Sequence, residues 1–94
     1  MYINRRTVKI KPGATGEVVK LVKAEIERSG STVKIYTPTF GPFDVAVIDF
    51  EFESLEAYEK MWDEWFASPE GAQFMEKWVP LVEAGGTNEL WEVA

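Results

Sequence analysis

One stretch, Phe43 to Phe52, constrains the fold more than any other part of this 94-residue chain. Read with the period of two that a strand imposes, Ala46, Ile48, Phe50 and Phe52 form one wholly apolar face. The other face begins with Val45 and Val47 and turns acidic at Asp49 and Glu51. A strand that is apolar on both faces at its centre is covered on both sides. One layer of helices covers one side, so something else must cover the other. A chain this short buries only roughly 60–65% of the surface its unfolded form exposes, which makes a partner subunit the natural candidate.

The rest of the chain alternates between the same period and a helical one. Residues 2–11 place Tyr2, Asn4, Arg6, Val8 and Ile10 on one face and Ile3, Arg5, Thr7 and Lys9 on the other, until Pro12-Gly13 breaks the pattern. From Ala14, Val18, Leu21, Val22 and Ile26 follow helical spacing, and Ser29-Gly30 ends that helix. Thr32–Thr39 alternates again before a connection rich in Pro and Gly. Ser54 is an N-cap for a second helix whose stripe is Leu55, Tyr58, Trp62, Trp65 and Phe66. Ser68-Pro69-Glu70 restarts it, with Phe74, Met75, Trp78, Val79 and Val82 as the next stripe, a kink expected at Pro80 and an end at Gly85-Gly86. Asn88–Val93 is the last strand.

The order βαββαβ predicts an α+β, ferredoxin-like domain spanning 1–94. Its four-stranded antiparallel sheet runs 4-1-3-2, with the helices on one face. In that order the first strand lies beside the third, so Arg5 and Lys9 share the outer face with Asp49 and Glu51.

Composition removes whole classes of chemistry. Without cysteine or histidine there is no thiolate nucleophile, disulfide, Cys/His zinc site, histidine haem ligand or histidine base. A net charge of −6 disfavours nucleic acid and anionic membranes. Residues 1–47 carry +4 and residues 48–94 carry −10, so the halves attract. No apolar stretch approaches a membrane span or a leader's core, and a soluble cytoplasmic protein is expected. Gly13 to Gly16 lacks the pattern of a phosphate loop, and the acidic run Glu51 to Glu64 lacks EF-hand spacing. Neither a metal nor a cofactor is expected.

Four tryptophans, three tyrosines and six phenylalanines remain. On helix stripes that face the sheet they build either a packed core or the aromatic wall of a small-molecule pocket. Asn4 and Arg6 lie on the same inner strand face and are either hydrogen-bonded structural groups or the polar groups of that pocket.

The strand leading into Lys11-Pro12-Gly13 resembles members of the dimeric α+β barrel superfamily of the NIPSNAP type. So do Phe43–Phe52 running into Glu53-Ser54-Leu55-Glu56, the aromatic run Trp62–Phe66, Ser68-Pro69-Glu70-Gly71 and the closing Glu89-Leu90-Trp91-Glu92-Val93. The resemblance implies a homodimer in which two sheets pack face to face, covering Val45 and Val47. The superfamily also holds antibiotic-biosynthesis monooxygenases, which oxidise polycyclic phenols without a cofactor, and haem-degrading enzymes. Asn4 matches their first-strand Asn. Phe52 stands where the haem degraders have Trp, and Phe74 or Met75 where they have His, so haem degradation is not implied.

The resulting expectation is a homodimer with a cavity between the second helix and the sheet. It would bind a small aromatic or apolar ligand through Asn4, Arg6, Phe52, Trp62 and Trp65. The alternatives are a cofactor-independent monooxygenase acting on a phenolic or polycyclic aromatic substrate, and a dimer with no pocket.

Overall fold

The computed structural model describes all residues, Met1–Ala94. Its elements are β1 (Tyr2–Lys9), α1 (Thr15–Ser29), β2 (Lys34–Tyr36), β3 (Val45–Phe52), α2 (Leu55–Ala67), α3 (Pro69–Trp78) and β4 (Thr87–Glu92), with a 3₁₀ turn at Val79–Leu81. The sheet order is β2-β3-β1-β4 and every pairing is antiparallel. This is the ferredoxin-like α+β arrangement predicted from the periodicity.

Several boundaries move, each for a local reason. β1 stops at Lys9 because Ile10 turns away to bridge Val82, its N–H donating to the Asp44 carbonyl at 2.8 Å. β2 shrinks from Thr32–Thr39 to Lys34–Tyr36, since Pro38 has no N–H to extend the ladder. β3 starts at Val45, leaving Phe43 95% exposed in the preceding loop. β4 begins and ends one residue early. The helix expected to continue through a kink at Pro80 instead ends at Trp78 and tightens into the 3₁₀ turn; Val79, assigned to its apolar stripe, is exposed.

Helix starts follow capping chemistry. The Ser54 hydroxyl accepts from Ala57 N–H at 3.1 Å, and the Ser68 hydroxyl accepts from Gly71 N–H at 3.0 Å while donating to the Trp65 carbonyl at 2.6 Å. α1 has no such residue, because its N-cap is Ala14. Asp44, from the β2–β3 loop, substitutes: its Oδ1 accepts from Gly13 N–H at 3.2 Å and the Thr15 hydroxyl at 3.1 Å. Asp44 adopts a left-handed φ of 53° to reach them.

The core lies between α1 and the inner sheet face, where Val18 and Val22 pack on Ile10, Ala46 and Ile48. It is small, with only nine of 94 residues fully buried. The outer sheet face has no cover within the chain. Across it runs a row of alternating charge, Glu89, Arg5, Asp49 and Lys34, one residue from each strand. Arg5 grips Asp49 with two parallel bonds, Nε to Oδ1 at 2.8 Å and Nη2 to Oδ2 at 2.9 Å. No helix is long and apolar enough to cross a membrane.

The Arg5 hydrogen bonds hold the Asp49 carboxyl below the ordinary carboxylate range, against the opposing effect of burial. The stabilisation is therefore complete above the unfolded carboxyl's pKa, near 4, and is lost as the pH falls through the lower folded value. Asp49→Asn should melt below the wild type by a constant margin from about pH 7 to about pH 5, and the margin should shrink in more acidic buffer. A margin that stays unchanged in acid would show that the pair is not the source.

Candidate functional site

α2 buries none of its residues fully. Its aromatic side chains stand between its backbone and the sheet, and the chain turns at Ser68-Pro69 so that α3 returns along the same side. The space left between these helices, α1 and the inner sheet face is a cavity of about 940 Å³. That lies within the range of natural small-molecule sites, roughly 300–1,000 Å³.

Its wall is a connected run of rings. Between ring centroids, Trp62 is 5.0 Å from Phe50 and 5.9 Å from Trp65, and Tyr58, outside the lining, backs Trp62 edge-on at 6.4 Å. Trp65 is 5.3 Å from Phe74, which stacks on Trp78 at 5.4 Å. Such edge and offset contacts hold each ring against its neighbours and keep the wall from collapsing inward.

One polar network reaches the lining through Arg6 and Asn88. Asn4 is 1% exposed, and its Nδ2 donates to Asn88 Oδ1 at 2.6 Å and to the Glu89 carbonyl at 2.9 Å. Those bonds orient Oδ1 to accept from Arg6 Nε at 3.0 Å and the Tyr58 hydroxyl at 3.4 Å. Arg6 also donates through Nη2 to Tyr58 Oη at 3.5 Å. Its guanidinium lies 4.3 Å from the Trp62 ring centroid and 5.8 Å from that of Phe50. Elsewhere on the wall, Glu25 accepts from Arg28 and, at 3.2 Å, from Trp65 Nε1. Arg28 first, and the indole N–H with it, holds the Glu25 carboxyl below its ordinary range.

Among the residues singled out in the sequence, Arg6, Trp62 and Trp65 line this cavity. Asn4 sits behind Arg6 and positions it. Phe52 is buried against Tyr58, edge-on at 4.8 Å, outside the cavity wall. Phe50, two residues earlier on the same strand face, occupies the wall instead. Asn88 completes the polar network, and nothing local in the sequence marks it, because its partner is 84 residues away.

Solved structures share this architecture over the whole chain. Protein Atu4242 from Agrobacterium tumefaciens superposes with a TM-score of 0.86 at 27% identity, covering 100% of this chain and 94% of that one. An uncharacterized NIPSNAP domain protein from Burkholderia xenovorans gives 0.85 at 18% identity, covering 100% and 95%. An antibiotic biosynthesis monooxygenase gives 0.74 at 16% identity, covering 100% and 99%, a likeness of fold alone. No curated protein matches the chain. The model of the NIPSNAP family matches residues 3–89, nearly the full length, and the chain belongs to the NIPSNAP family.

Proposed function

We propose that this NIPSNAP protein is a homodimer, its two sheets packed face to face, and that each subunit binds a small aromatic or apolar molecule between α2 and the sheet. The observation that carries the ligand reading is the cavity of about 940 Å³ whose lining joins a run of aromatic rings to the Arg6 guanidinium. A purely structural domain gains stability by filling such a space, since voids forfeit packing contacts.

The uncovered sheet face supports the dimer. Ile3, Val45 and Val47 are half-buried there, while Tyr36 and Trp91 are 47% and 57% exposed. Nine buried residues make a poor core for 94, and a second sheet would bury this face.

Native mass spectrometry of gently purified protein tests both parts. The expected species is a dimer carrying added mass of a few hundred daltons per subunit. A monomer would overturn the dimer. An empty dimer whose tryptophan fluorescence is unmoved by flat aromatic probes would overturn the ligand.

The second reading is a cofactor-independent monooxygenase acting on a phenolic or polycyclic aromatic substrate. The cationic Arg6 beside flat aromatic walls favours it, because a fixed cation stabilises an oxyanion developing on such a substrate. Dioxygen uptake that depends on an added polycyclic phenol and is lost in Arg6→Gln would select this reading over simple binding.

A further inference from the structure

We infer that the occupant of this cavity is a planar organic monoanion, its carboxylate held by Arg6 and its apolar body lying along the aromatic wall. The inference rests on the cavity being a binding site and adds the ligand's charge and polarity.

Three cations line the cavity: Arg6, Arg28 and Lys60. Arg28 is paired with Glu25 and Lys60 with Glu64, whereas Arg6 has no carboxylate partner. Its two protein acceptors, Asn4 Oδ1 and Tyr58 Oη, are both neutral. They occupy Nε and Nη2 along one edge of the guanidinium, and no protein acceptor meets Nη1. The Nη1–Nη2 edge therefore remains open, and that fork matches the two oxygens of a carboxylate.

The aromatic wall fixes where that open edge sits. Trp62, part of the cavity lining, is the ring beneath the Arg6 guanidinium, with its centroid 4.3 Å away. The cation–π contact orients Arg6 but uses none of its N–H donors.

The charge is left available by the residue behind it. An aspartate at position 4 would neutralise Arg6; the sequence has an amide, with its nitrogen tied to the Glu89 carbonyl. A single negative charge suits the site better than two. Glu70 and Glu83 also line the cavity, and neither is ion-paired. Beyond Arg6 the wall is Phe50, Trp62, Trp65, Phe74 and Trp78, fit for a flat conjugated body.

The test compares 2-naphthoate with its neutral isostere 2-naphthamide, titrated into the intact protein at pH 7 by calorimetry and tryptophan fluorescence. Naphthoate should bind wild type at least 10-fold more tightly. Arg6→Gln should remove that preference while leaving naphthamide within about 2-fold, and Arg6→Lys, which keeps the charge without the fork, should retain part of it. Equal affinities for the two probes in wild type would overturn the anion assignment and leave the cavity reading intact. Binding of neither probe at about 1 mM, some 4 kcal/mol of affinity, would overturn both. A preference for naphthoate that survives Arg6→Gln would overturn the role of Arg6.

Discussion

Val47→Lys is expected to turn the proposed dimer into a monomer. Val47 lies at the centre of the uncovered sheet face, paired with Thr7 on β1 and Tyr36 on β2. In a face-to-face dimer a two-fold axis places both copies of the substitution in the same interface, so each cost enters twice. An ammonium group taken from water with no carboxylate opposite it costs on the order of 3 kcal/mol even after relaxation. Two of them weaken association by roughly 10⁴-fold. Asp49, two residues along the same strand face, is already gripped by Arg5. Light scattering on the eluted peak should report half the wild-type mass, with far-UV circular dichroism unchanged because Val47 faces away from the helices. Ala24→Lys, on an exposed position of α1, adds the same charge and should leave the mass alone. If Val47→Lys still runs as a dimer, this face is not the interface.

The same residues show how far the sequence could be read. Strand faces, strand order and the Arg5–Asp49 pairing follow from a period of two combined with an order of elements that has few ways to close. The serine caps of α2 and α3 are legible because each cap and its acceptor site lie within one turn. The cap of α1 is not, because Asp44 comes from a loop 30 residues downstream and must adopt a left-handed backbone conformation to serve. The candidate site divides in the same way. Periodicity places Arg6, Trp62 and Trp65 toward one space. It cannot distinguish Phe50 from Phe52, which share a strand face, because only the line along which α2 crosses the sheet decides which ring reaches the cavity. Asn88 was beyond reach for a related reason: its role depends on the β1–β4 register, and a short polar residue at the start of an edge strand carries no pattern.

Asn4→Ala should be the most destabilising of the substitutions in the polar network, and its effect should separate two neighbours that the sequence could not tell apart. The Asn4 amide is buried and serves four partners: it ties β1 to β4 through Asn88 and the Glu89 carbonyl, and α2 to the sheet through Tyr58, while steadying Arg6. Alanine leaves the Glu89 carbonyl and the Arg6 Nε without those bonds and opens a void. The expected cost is about 3 kcal/mol, which lowers Tm by roughly 10–20 °C in a domain of this size. Arg6 is different. It is only half-buried, its donors are not fully used, and its stacking on Trp62 survives in part with any flat polar side chain. Arg6→Gln should therefore move Tm by less than a third as much while abolishing selectivity for an anionic probe. The asymmetry is the decisive measurement: it would assign Asn4 to the fold and Arg6 to the proposed ligand, although they stand two residues apart on one strand face. Equal losses of Tm in the two variants, with probe binding scaled to the fraction folded, would show instead that both are parts of one structural network.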